Sequence, residues 1–137
     1  AKLDITDLDE EKNYTPQKAY GNSKLEQILF TEEFDRRYRA AGATSTAFHP
    51  GVIGSSFSSA EGSAMRSVYQ GIIGRLVLQS PEKGAQTLVF LAEGTPGADY
   101  PTGRYFVRSE PARTNKLAGD HALALDLWNR SVAMLEG

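Results

Sequence analysis

The sequence predicts an α/β protein, with short strands alternating with amphipathic helices in the manner of the tail of an open sheet. Two observations carry this. A long segment with apolar residues at helical spacing, residues 16–41, is followed within a few residues by a run of small and β-branched side chains, residues 43–49. The rest of the chain repeats the alternation as helices, a short strand and a last helix. A helix followed closely by a buried strand is the pattern of a sheet with crossover connections.

The elements follow in order. Residues 1–14 are acidic and mostly polar, with apolar anchors at Leu3, Ile5 and Leu8, and predict a surface loop. Thr15-Pro16 starts a helix, since the hydroxyl caps free N–H groups and proline is tolerated in the first turn. Ala19, Leu25, Ile28, Leu29 and Phe34 form its inner face, and Gly42 stops it. Residues 43–49 predict a buried strand, broken by Pro50-Gly51. The Gly- and Ser-rich residues 52–63 predict a loop, and residues 64–78 a helix with Val68, Ile72 and Leu76 on one face. Ser80-Pro81-Glu82 opens another helix, its acid near the positive end of the dipole. That helix is expected to bury Ala85, Leu88, Val89 and Ala92 and to end at Gly94. Thr95 to Thr102 is a turn region, residues 104–107 a short strand, and a polar loop follows. Asp120 caps a last helix expected to face Leu123, Leu127, Trp128 and Leu135 inward.

Composition narrows the function. With 137 residues, 40% hydrophobic and 23% charged, the chain is an ordinary globular sequence of one-domain size. A net charge of −2 argues against a nucleic-acid or anionic-lipid partner, which calls for a basic face. Arg36, Arg37 and Arg39 read as the solvated side of a helix. The absence of cysteine removes disulfide and thiolate chemistry and suits a reducing, cytoplasmic setting. The most apolar stretch, Ile72 to Leu78, is interrupted by Gly74 and Arg75 and is too short to span a bilayer. No secretory signal pattern is visible.

Chemistry concentrates at Tyr20 and Lys24. Four residues apart on one helix, they share a face one turn from each other. A tyrosine phenol titrates near about pH 10, and an adjacent ammonium favours its ionised form, which suits it to acid–base work. The string Tyr20-Gly21-Asn22-Ser23-Lys24-Leu25 lies near the start of the capped helix, and a strand ending in His49-Pro50-Gly51-Val52 follows. This order resembles the short-chain dehydrogenase/reductase family, whose active-site helix carries Tyr-x-x-x-Lys, often with Ser before the Lys. The segments KLDITDLDEEKNYTPQKAYGNSKLEQILFTEEF, SPEKGAQTLVFLA and DHALALDLWNRSV are similar to its retinol-dehydrogenase-like branch, which includes protochlorophyllide-reductase-like enzymes.

The resemblance implies the C-terminal half of a doubly wound, Rossmann-type parallel sheet with flanking helices, with residues 1–137 belonging to one NAD(P)-binding domain. It implies Tyr20 as general acid/base, and Lys24 as the group that lowers the phenol pKa and bonds the nicotinamide ribose. Pro50, Gly51 and Val52 would wall the nicotinamide. Ser55 would be a small hydroxyl contact to the cofactor, with Ser56 a rival one residue away. The cofactor would be NAD or NADP, the substrate an alcohol or carbonyl compound, and a homodimer through the active-site helix is the expected assembly.

One part of the family pattern is missing. No glycine-rich fingerprint opens a helix after a strand, and Gly71-Ile72-Ile73-Gly74 has apolar filling suited to helix packing instead. The family's carbonyl-polarising Ser and structural Asn would fall upstream of Ala1. Turnover is therefore expected of a longer parent chain, or of this piece joined to its other half. A catalytically silent NAD(P)-binding sensor or scaffold of the same fold is the first alternative, and a self-standing interaction module the second. His49 and His121 lack metal-ligand spacing and read as structural. Asp7, Asp9, Glu10 and Glu11 read as a solvated acidic loop, and Trp128 as core. Ser63 to Leu78 falls where the family builds a substrate lid, though its apolar face could equally pack only on the protein, with Tyr69 a candidate substrate contact.

Overall fold

The computed structural model describes residues 3–12, 14–51, 80–113 and 116–136. The elements are helix α1 (Pro16–Tyr38), a 3-10 turn (Arg39–Ala41), strand β1 (Ala47–His49), helix α2 (Pro81–Glu93), strands β2 (Tyr105–Val107) and β3 (Glu110–Pro111), and helix α3 (His121–Glu136). Among the described residues the strands form one sheet in the order β1-β2-β3. The arrangement is a partial α/β Rossmann type, with the sheet mixed where a purely parallel one is expected. The expected loop at 52–63 and helix at 64–78 lie outside the described residues. The chain divides into two compact units, the first holding residues 1–47, 101–105 and 111–137, the second residues 48–100 and 106–110.

The first unit is built on α1 and α3. Thr15 Oγ1 accepts from the Lys18 amide at 3.2 Å, capping α1 as expected, and the helix gives way through its 3-10 turn to Gly42 at φ 86°. Leu25 and Leu29 of α1 are buried with Ala124 and Leu127 of α3, and Leu3, Ile5, Leu8, Leu117 and Leu123 pack against them. Each buried leucine contributes about 1.5–3 kcal/mol over leaving it exposed. Asp120 Oδ1 accepts from the amides of Ala122 and Leu123, both at 3.1 Å, and so caps α3. Of the expected inner residues of α3, Leu135 is instead exposed. Trp128 is half-buried, stacked on Phe30 at 5.4 Å with Arg37 over its ring at 4.8 Å.

Two acids on α1 are buried. Glu33 accepts from Arg36 Nη2 at 2.7 Å and from Arg37 Nε at 2.6 Å. The Arg36 guanidinium is the main reason its carboxyl is held below the usual carboxylate range. Asp35 is fully buried and fastens three segments. It accepts from Arg39 Nε at 2.8 Å, from the Ser45 amide at 3.3 Å and from Thr102 Oγ1 at 3.1 Å. Arg36, Arg37 and Arg39 are therefore more than a solvated face: they are exposed cations that offset buried carboxylates.

The second unit has a smaller core of Leu91, Tyr100 and Phe106, with Phe48 and Phe90 against it. Tyr100 meets Phe106 edge-on at 5.9 Å, and its hydroxyl donates to the Leu91 carbonyl at 2.7 Å. Ser80 Oγ accepts from the Lys83 amide at 3.4 Å, the expected cap of α2. The expected inner face of α2 is corrected. Ala85, Leu88, Val89 and Ala92 are exposed, while Gly84, Thr87 and Leu91 are buried. Thr87 Oγ1 accepts from the Ser109 amide at 3.0 Å, which fixes the helix's rotation on that side. Gly94 ends α2 as expected, though in an extended conformation. A Cβ there would meet the Tyr100 ring at 3.0 Å, so close approach is the reason for glycine.

Two strand expectations also change. The strand foreseen over 43–49 is shorter, Ala47–His49, and only half-buried, with His49 exposed. The polar loop after residue 107 is instead a hairpin. Arg108 and Ser109 have φ 53° and φ 63°, the pair of left-handed residues that a two-residue type I′ turn requires.

Candidate active site

The first turns of α1 carry the predicted pair. Thr15 and Pro16 start the helix one turn before Tyr20, so the cap fixes where the phenol emerges. Tyr20 is 65% exposed. Lys24 is also exposed, and its Nζ lies 5.6 Å from the centroid of the Tyr20 ring. The two side chains thus share one helix face, as the i, i+4 spacing predicts. Ser23, between them in sequence, donates its hydroxyl to the Tyr20 carbonyl at 2.9 Å and is satisfied by its own helix.

Three neighbours escaped sequence reasoning. Gln27 Oε1 accepts from Lys24 Nζ at 3.3 Å and so restrains the ammonium. Its i+3 position was a usable signal. Tyr105, on β2, has its phenol pushed up by burial and secondarily by the nearness of Tyr20. No local sequence signal links residues 85 positions apart. Glu10 reads as one of a solvated acidic run but is buried. Its Oε2 lies 2.6 Å from Lys18 Nζ, and its other oxygen accepts from Asn22 Nδ2.

The remaining predicted residues fall elsewhere. Pro50 is exposed and Gly51 half-buried, with Gly51 at φ 87° where the chain leaves β1. They belong to the second unit. Val52, Ser55, Ser56, Tyr69 and the expected lid Ser63 to Leu78 lie outside the described residues. A cavity of about 420 Å³ in the first unit is lined by Glu32, Arg104, Arg113 and Lys116 among others, and neither Tyr20 nor Lys24 lines it. Burial pushes the Glu32 carboxyl up. No helix among the described residues is long and apolar enough to cross a membrane.

An exposed phenol beside an ammonium can exchange a proton with a hydroxyl or carbonyl oxygen of a bound molecule. Comparison with known proteins points the same way. No family model matches the chain, and no solved structure matches it significantly. Curated proteins do. Human retinol dehydrogenase 13 is 34% identical over 137 residues, covering 97% of this chain and 41% of the relative. Mouse retinol dehydrogenase 14 is 28% identical, covering 98% and 40%. Human polyprenol dehydrogenase is 29% identical, covering 98% and 41%. The chain therefore spans 40–41% of the length of these relatives. Over nearly its whole length the chain is similar to these dehydrogenases, which supports the retinol-dehydrogenase-like branch of the short-chain dehydrogenase/reductase family that its motifs resemble.

Proposed function

We propose that this chain is the C-terminal half of an NAD(P)-dependent oxidoreductase that moves a hydride between the nicotinamide and an apolar alcohol or its carbonyl form. The observation that carries the reading is Tyr20 and Lys24 on one exposed helix face, the ammonium 5.6 Å from the ring centroid. Relatives named for retinol and polyprenol, both apolar alcohols, support the substrate class. In the oxidative direction the Tyr20 oxygen would take the alcohol O–H proton, and the bound cofactor would supply the hydride acceptor for the carbon. In reverse, Tyr20 protonates the carbonyl oxygen. Lys24 would hold the ribose of the nicotinamide nucleotide, and it places a positive charge beside the phenol. Pro50, Gly51, Val52 and Ser55 would be further cofactor-binding residues by family resemblance alone.

The residues present suit the sugar end of such a cofactor. A phenol and an ammonium within one helix turn match ribose hydroxyls. The cofactor, when bound, supplies the hydride chemistry, while the chain supplies orientation and proton transfer. The pyrophosphate is left to the other half, since this sequence holds no glycine-rich fingerprint.

The test is a screen of the full-length protein against NAD and NADP with retinol, a polyprenol and short alcohols, read as growth of the reduced-nicotinamide absorbance. Turnover with the apolar alcohols is expected. Cofactor binding without turnover of any alcohol or carbonyl compound would favour the sensor or scaffold reading instead.

A further inference from the structure

A second inference rests on the proposed role of Tyr20 and concerns how the phenol is aimed. Glu10 is a buried acid in the loop before α1 that proton transfer does not use. The loop folds on itself through Asp7. The Glu10 amide donates to the Asp7 carbonyl at 3.1 Å, and the Asp7 carboxylate accepts from the amides of Glu11 and Lys12, both at 3.0 Å. Glu10 itself sits at φ 54°. A left-handed conformation costs a non-glycine residue about 1–2 kcal/mol, so it persists only where other contacts fix it. Those contacts are Lys18 Nζ at 2.6 Å and the Asn22 side-chain amide.

Helical geometry gives the latch its meaning. Lys18 and Asn22 are i and i+4 on one side of α1. At about 100° per residue, Tyr20 lies roughly 200° from each of them, and Lys24 shares its side. Glu10 therefore grips the back of the turns whose front carries the reacting pair. We propose that Glu10 is a positioning residue: its buried carboxylate, bonded to Lys18 and Asn22, fixes the rotation of the first turns of α1 and hence the direction of Tyr20 and Lys24. The Lys18 ammonium is the main reason the Glu10 carboxyl stays below its ordinary range, so the grip holds at neutral pH. Leu3, Ile5 and Leu8 anchor the same loop to the core independently, so removal of the carboxylate leaves the loop docked.

The test compares Glu10→Ala and Glu10→Gln with the unaltered full-length protein. Glutamine can still accept from Lys18 and bond the Asn22 amide once that amide turns over, so it keeps the latch without the charge. A displacement of about 1 Å at a reacting group can cost roughly 10²-fold in rate. Glu10→Ala is expected to lower kcat by about 10- to 100-fold, to raise the KM for the cofactor through the displaced Lys24, and to speed amide hydrogen exchange over residues 18–24. Glu10→Gln is expected to stay within about threefold of the unaltered protein. Unchanged kcat and exchange in Glu10→Ala would overturn the proposal, as would equal losses in both variants. A Tyr20→Phe control separates the two readings: if it stays active, the acid–base assignment fails; if it is dead while Glu10→Ala is normal, only the latch fails.

Discussion

Replacing Tyr20 with phenylalanine is expected to lower kcat by roughly 10²–10⁴-fold, about 3–5 kcal/mol of transition-state stabilisation, the range of a lost general acid or base. The substitution removes one oxygen and keeps the ring against which Lys24 rests. Because Tyr20 is 65% exposed, losing the hydroxyl leaves no buried group without a partner. Stability should therefore move by no more than about 0.5 kcal/mol, as for a surface change away from caps and core. Affinity for NAD(P) should also hold, since in the proposed mechanism Lys24 and the other half carry most of the binding. Rate and affinity measured on the same preparation check this. A rate within a few-fold of the unaltered protein would contradict it.

The largest stability effect is expected at Gly103, far from any proposed chemistry. Gly103 has φ 67°, and a Cβ there would lie 2.8 Å from Asp35 Oδ2 and 3.2 Å from its Cβ and Cγ. Alanine would carry a torsional cost of about 1–2 kcal/mol. It would also force aside a buried carboxylate that holds Arg39, Ser45 and Thr102, an overpacking cost of about 1–3 kcal/mol. The sum is about 3 kcal/mol, or roughly 10 °C in Tm for a chain of this size. Gly97 supplies the contrast, since it has φ 81° but nothing within 4 Å of an added Cβ. Gly97→Ala should lose only the torsional part. Calorimetric Tm values for the two variants check the difference, and equal losses would show that Asp35 yields without cost.

What the sequence made legible follows from the range of the physics involved. Helix caps and i, i+4 pairs are local, so Thr15, Ser80, Asp120 and the pairing of Tyr20 with Lys24 were all readable. Burial is not local. The apolar residues Leu88 and Val89 of α2 read as an inner face. Yet the side that packs is set by Thr87 receiving the Ser109 amide from 22 residues away. The hairpin was hidden for another reason: Arg108-Ser109 holds a turn that normally asks for Asn-Gly. The buried acids are a third kind of miss. Glu33 and Asp35 sit in a charged stretch that resembles a solvated face. Their arginines at i+3 and i+4 were the available signal, and only the fold shows which partner is inside. Glu10 was hidden in the same way, in an acidic run whose burial depends on Lys18 and Asn22 reaching back to it.

The central claim is that one phenol and one ammonium act as a unit, and a double-mutant cycle on kcat tests it most directly. Tyr20→Phe, Lys24→Met and the double variant would be measured with one alcohol and one cofactor at saturation. Groups that work together are strongly non-additive. The double variant should therefore be no more than about tenfold slower than Tyr20→Phe alone. If the two losses instead multiply in full, the side chains act independently and the paired acid–base account is wrong.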